Sequence, residues 1–201
     1  NNATFTGSTS GGITYDAVNG VLNFNNTCTL NCSSSNSNYL TLGSTGLSNF
    51  ANGLTIISRA NLGASTSNWD RIVDFGIANN NNSLVFARYG STNNLAIQTY
   101  NGVTNSLTLS YAATNAITNS AYANYAVTLT IGGVAQIYVN GTAASTQGIT
   151  DGVALSAAGF PVNGSRTSNF LGHSNWASDS SLTGGLGMIV LYSSALSSTQ
   201  V

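Results

Sequence analysis

The sequence predicts an all-β fold, an antiparallel sandwich or barrel, on three observations. Apolar residues recur with a period of two rather than 3.6, in short runs bounded by Gly, Asn and Ser. These runs follow one another at near-regular spacing along 201 residues, the mark of many short strands joined by turns. Two Asn-Gly pairs, Asn19-Gly20 and Asn140-Gly141, fall between apolar runs, where a type I′ turn needs positive φ at both central positions.

From the N-terminus, Ile13–Phe24 alternates around Asn19-Gly20 and is expected as a hairpin. Tyr39–Leu42 is a short apolar run after a Ser- and Asn-rich stretch, and Leu54–Ala60 is a longer one. Asp70–Ile77 alternates, which puts Trp69, Arg71, Val73 and Phe75 on one face, expected to be core, and Asp70, Ile72 and Asp74 on the other. The polar tract Asn79–Asn82 is expected as a loop tip before Leu84–Tyr89, Leu95–Tyr100 and Leu107–Tyr111. Tyr125–Ile131 and Ala135–Val139 follow, then Asn169–His173 and Leu186–Tyr192. The single proline, Pro161, lies in the loop Gly159–Ser165, and Ser193–Gln200 is the one helix-like stretch. With no linker and no repeat, residues 1–201 are expected to form one domain, long enough to bury about 70% of the unfolded surface.

Only four Arg and five Asp carry charge, with no Lys and no Glu, against the usual fraction of ~25%. Asn, Ser and Thr number 28, 28 and 24, so neutral hydrogen-bonding groups solvate the surface. Four scattered Arg cannot displace the counterions of a phosphate backbone, which excludes a nucleic-acid partner. Nor do they make the basic cluster of a membrane-surface protein. The longest mainly apolar stretch, Leu186–Tyr192, falls far short of the ~20 residues a membrane helix needs, so no membrane insertion is expected. A mean hydropathy of +0.10 with a net charge of −1 argues for folding over disorder.

Cys28 and Cys32 lie close together in a polar segment, where a turn can bring them to the ~5.5 Å Cα separation of a disulfide. They are expected to be bridged; free buried thiols are the other reading. A redox motif would space them differently, and a zinc site would need more ligands than the lone His173 supplies. Asn-x-Ser/Thr sequons at Asn2, Asn25, Asn31, Asn81, Asn140 and Asn163 occupy turn-like segments and are expected glycosylation acceptors. Both features point to an extracellular protein, secreted or at the cell surface, with a leader removed upstream of Asn1.

An ordered set of motifs carries a resemblance. Trp69-Asp70-Arg71-Ile72-Val73-Asp74-Phe75-Gly76 comes first, then Ile137-Tyr138-Val139-Asn140-Gly141. Leu171-Gly172-His173-Ser174-Asn175-Trp176-Ala177-Ser178-Asp179 follows, then Gly184-Gly185 and Ala195-Leu196-Ser197. From about Val18 onward the chain resembles a laminin G-like domain of the concanavalin A-like lectin/glucanase superfamily. The resemblance implies a two-sheet antiparallel jelly-roll sandwich with a concave face and loop-built rims. It departs from the family at Arg59, where many members carry an aromatic, and at His173, where the motif usually has Arg. It also leaves calcium as a possible ligand at a rim, with Asp179 the only acidic residue on the matching motif.

Polysaccharide cleavage needs two carboxyl groups ~5–10 Å apart. Asp70 and Asp74, read as sharing a strand face, would stand ~13 Å apart, and Asp16 and Asp151 are expected in turns. His173 lacks a Gly-x-Ser-x-Gly partner, so no enzyme and no required cofactor are expected. Arg71, set among apolar neighbours, is expected to pair with Asp179 as a structural ion pair. Asn175 and Trp176 are the candidate ligand-binding residues, since an exposed Trp would serve as a carbohydrate platform. Two functions follow. The favoured one is a structural or adhesive subunit that associates with copies of itself, because a nearly uncharged surface with no Lys lacks the usual protection against association. The alternative is a lectin-like module for extracellular glycans.

Overall fold

The computed structural model describes residues 3–6, 12–27, 37–44, 47, 49–64, 68–77, 81–100, 107–149 and 164–201. These residues carry fifteen strands: β1 Ala3–Thr6, β2 Ile13–Asp16, β3 Val21–Phe24, β4 Tyr39–Leu42, β5 Leu54–Leu62, β6 Arg71–Gly76, β7 Leu84–Arg88 and β8 Leu95–Tyr100. After them come β9 Leu107–Ala113, β10 Tyr122–Leu129, β11 Ala135–Val139, β12 Thr142–Ala143, β13 Thr146–Gly148, β14 Ser168–Leu171 and β15 Gly184–Tyr192. One sheet has the order β1-β4-β14-β6-β7-β8-β9-β13 and the other β12-β11-β10-β5-β15-β3-β2. Every strand pairing is antiparallel, and strands distant in sequence, β14 beside β6 and β15 beside β5, interleave as a jelly roll requires. The fold is therefore the two-sheet sandwich that the periodicity and the resemblance predict.

The inner faces meet in one cluster that includes Phe24, Leu54, Ile56, Leu62, Ile72, Phe75, Phe86, Ile97, Tyr125 and Val127, all sealed from solvent. Each fully buried aliphatic or aromatic side chain there contributes about 1.5–3 kcal/mol. Strands β1, β12 and β13 go beyond the expected elements, being too short to show a period. No described residue is helical. In Ser193–Gln200 the N–H groups of Ala195 and Leu196 donate to Asn52 O and Thr55 Oγ1, which ties the backbone to the start of β5, and only a single turn follows, closed by the Gln200 and Val201 N–H groups on Ser197 O.

Asn140-Gly141 forms the expected turn: φ is 51° and 77°, and Val139 pairs directly with Thr142. The reading of Asn19-Gly20 needs correction. Asp16 pairs with Val21, which makes a four-residue loop in which only Gly20 has positive φ, 65°. The Asp16 carboxylate accepts the N–H groups of Val18 and Asn19 and the Asn19 side-chain amide, so local capping sets the loop.

The most consequential departure lies in β6. Arg71 pairs with Ala87 but Val73 pairs with Phe86, so Ile72 is the extra residue of a bulge. Side chains reverse face at that point. Ile72, Val73 and Phe75 all enter the core, while Arg71 and Asp74, expected on opposite faces, share the outer one. Asp70 and Asp74 are likewise separated, against the sequence reading. Asp70 instead meets Arg88 at 3.2 Å, both side chains fully buried. The Arg88 guanidinium further donates to Thr92 O and Gly63 O, closing the rim between the sheets.

Cys28, Cys32, Asn2, Asn31, Asn163, Asp151 and Pro161 lie outside the described residues. Of the remaining sequons, Asn25 and Asn140 are exposed and Asn81 is half-buried.

Candidate functional site

The bulge presents Arg71 on the outer face of the larger sheet, where two loops converge on it. Asn68 and Ser180 stitch those loops together, through Asn68 N–H to Ser180 Oγ at 2.8 Å and Ser180 N–H to Asn68 O at 2.9 Å. Each loop delivers a tryptophan. Trp69 and Trp176 stack on the Arg71 guanidinium at 5.5 and 5.4 Å, a cation held between two indoles. Tyr89 packs edge-on against Trp69 at 5.0 Å, and Tyr100 tilts against Trp176 at 5.2 Å.

The guanidinium is fixed in the plane by polar partners. Nε donates to Asp74 Oδ2 at 3.0 Å, one terminal nitrogen to Trp69 O at 2.8 Å and the other to Asp179 Oδ2 at 2.5 Å. The structure thus brings together Arg71 and Asp179. Ser174 Oγ donates to Asp179 at 2.9 Å and accepts the Trp176 N–H at 3.0 Å, which sets the turn that carries the indole. Burial is the dominant influence on the Asp179 carboxyl and pushes its pKa up; Arg71 opposes it.

Asn175 sits in this network as a brace. Its side-chain amide donates to Asp74 Oδ1 at 2.7 Å and to Ser168 O, and its Oδ1 accepts the Ser168 hydroxyl. Its polar groups are spent on the fold, whereas the half-buried Trp176 lines a cleft. Among the described residues no three His, Cys, Asp or Glu side chains gather as a metal-binding group. Asp179 Oδ2 is already shared between Arg71 and Ser174.

Trp69, Arg71, Gln98, Tyr100, Trp176 and Asp179 line a small half-open cleft of about 140 Å³. Gln98 is aligned by its neighbours, its amide donating to Ser110 and its oxygen accepting the Tyr100 hydroxyl. The sequence reading assigned Trp69 to the core and passed over Gln98 and Tyr100. A bulge has no residue signature of its own, so alternation could not have found the first. Trp69 also adopts φ 62°, an outlier for a bulky residue that costs about 1–3 kcal/mol and is held by its N–H to Gly90 O. Such strain collects where a side chain is needed in one orientation.

His173 lies beyond this cleft. It stacks on Tyr39 at 4.3 Å, meets Phe170 edge-on at 5.2 Å and pairs Nδ1 with Ser181 Oγ at 2.9 Å. Burial pulls its pKa down to about 4, so the ring is neutral at pH 7.

Comparison with known proteins gives the following. Residues 34–201 match a laminin G family model, described as the concanavalin A-like lectin/glucanases superfamily. No curated protein sequence matches the chain. Among solved structures it resembles the carbohydrate-binding domain, CBM40, of a Ruminococcus gnavus sialidase bound to α2,3-sialyllactose. That likeness has a TM-score of 0.58 at 12% identity and covers 74% of this chain and 80% of that one. The binding domain of Paraclostridial Mosquitocidal Protein 1 gives 0.60 at 11%, over 99% of this chain and 46% of that one. The NanB sialidase of Streptococcus pneumoniae gives 0.55 at 11%, over 75% of this chain but only 23% of that enzyme. At these identities the likeness concerns the fold.

Proposed function

We propose that this chain, which belongs to the concanavalin A-like lectin/glucanase superfamily, is a non-catalytic extracellular module that binds carbohydrate in the Trp69–Trp176 cleft. The observation that carries this is the pairing of two half-buried indoles around a fixed cation, beside polar groups that are buried and already oriented. Aromatic faces take the apolar C–H face of a pyranose, and Gln98, Tyr100 and Asp179 at the cleft wall suit its hydroxyls. The Ruminococcus gnavus domain of similar fold, which holds a sialylated sugar, supports the same reading. Among the described residues at the cleft no acid/base pair is formed, since both carboxylates beside it are tied to Arg71.

The test is direct because the chain has two tryptophans and both line the cleft. A glycan selected from an array should change the intrinsic fluorescence on titration, and Trp176→Ala should weaken binding at least about tenfold, as buried aromatic anchors do. An array on which no glycan perturbs the emission rules the proposal out.

Trp69 allows a sharper separation. Trp69→Gly removes the positive-φ strain of about 1–3 kcal/mol while losing the ring contacts, so its stability should stay within about 1 kcal/mol of the parent. Binding should fall as far as in Trp176→Ala. Thermal unfolding beside the titration reads both, and a Trp69→Gly variant that binds normally would show the strain to be unrelated to the ligand.

A further inference from the structure

The opposite face of the sandwich carries Arg59, the one arginine among the described residues that makes no hydrogen bond to another protein group. Arg71, Arg88 and Arg166 are all sealed and donate to carboxylates or carbonyls. Arg59, on the outer face of β5, is half-buried and has neither an ion pair nor a hydrogen bond, and its Nε is shielded from solvent. Of the five guanidinium donors only the Nε–H is shielded, while the terminal nitrogens reach solvent and are open to a ligand.

The surroundings hold this side chain in place. Asn23, Gly185, Asn61 and Tyr122 form one cross-strand row through β3, β15, β5 and β10. Tyr122 lies down along that row and donates its hydroxyl to Asn23 Oδ1 at 2.9 Å; a Cβ at Gly185 would collide with it. The Arg59 guanidinium rests over the Tyr122 ring at 5.3 Å. A bulge between Leu186 and Ile189 sets Gly187 beneath the arginine stem, where an added Cβ would press on Arg59 Cβ at 3.2 Å. Two glycines thus make the bed in which Tyr122 and Arg59 lie. Asn124, exposed, is the register partner of Arg59, and Met188, 65% exposed, rises from the bulge on the other side.

We infer that Arg59, backed by Tyr122 and flanked by Asn124 and Met188, is a second binding site, selective for the carboxylate of an acidic sugar. A stacked guanidinium with its terminal nitrogens free matches a carboxylate bidentately, and its side-chain entropy is already spent. The neutral amide of Asn124 and the apolar Met188 suit the hydroxyls and C–H face that accompany a sugar carboxylate. This site is independent of the tryptophan cleft and survives if that reading fails.

The experiment is an NMR titration of the whole chain with glucuronate, reading the arginine Nε–H resonances together with the Asn124 amide. Glucose, sulfate and inorganic phosphate serve as controls, and tryptophan fluorescence is followed separately. Glucuronate should shift Arg59 Nε–H and Asn124 and leave the tryptophan emission unchanged, and Arg59→Gln should weaken the binding at least about tenfold. Glucose should leave these signals in place. The wild-type shifts localise the site even if Arg59→Gln unfolds. An absence of shifts with glucuronate overturns the inference, as do equal affinities for sulfate or phosphate, which would mark a plain anion site, or equal affinity for glucose.

Discussion

Arg71→Met is expected to lower folding stability by about 3–5 kcal/mol, since removing one partner of a buried ion pair leaves the other charge uncompensated. For a chain of this length that is a fall of roughly 10 °C in Tm. Two carboxylates depend on this one cation, and Asp74 and Asp179 expose only 0% and 10% of their side chains. They do not depend on it equally. Asp74 also accepts from the Asn175 backbone and side chain, whereas Asp179 has the Ser174 and Ser178 hydroxyls and a carboxyl that burial already pushes up. Asp179 is therefore the group stranded by the loss, and adding Asp179→Asn to Arg71→Met should recover more than half of the deficit. Urea unfolding of the two single variants and the double variant measures this coupling. A single Arg71→Met variant within 1 kcal/mol of the parent would mean the network contributes little and the indoles alone hold the loops.

The strands were legible because their signal is local. Tyr39–Leu42, Leu95–Tyr100 and Ala135–Val139 have the bounds that apolar alternation gives, and Asn140-Gly141 has the conformation that its two residues favour. What alternation could not show is the step at Ile72, because a bulge is specified by the partner strand, and the period-two reading carries past it unaware. That one step moved Asp74 beside Arg71, separated it from Asp70 and left Trp69 outside the core. The pairing of Arg71 with Asp179 was reachable by a different route: a cation amid apolar neighbours must find an anion, and acids are few. Asn175 was read as a ligand residue because it adjoins Trp176, yet its amide is spent on Asp74 and Ser168. Nothing in the sequence distinguishes a brace from a contact when both are Asn.

His173 should make the protein acid-sensitive well above the carboxylate range. It is 6% exposed, between Tyr39, Phe170 and Ser181, and burial is the main cause of its low pKa, with Asp74 favouring the charged ring and Arg71 opposing it. Because the folded pKa of about 4 lies below the ordinary 6.5, the unfolded chain takes up the proton first as pH falls. The contribution is fully present above pH 6.5 and is lost between 6.5 and about 4, to a total of about 3 kcal/mol. Asp179 acts in the opposite sense: its raised pKa means that the folded state holds the proton more readily, so acidification through its titration adds stability. His173→Asn removes the first effect and keeps the second. Denaturation midpoints at pH 7 and pH 4.5 should therefore converge in His173→Asn and differ clearly in the parent. If parent and variant lose stability in parallel over that interval, the loss comes from another group and burial between Tyr39 and Ser181 does not lower the pKa of His173 in the folded state.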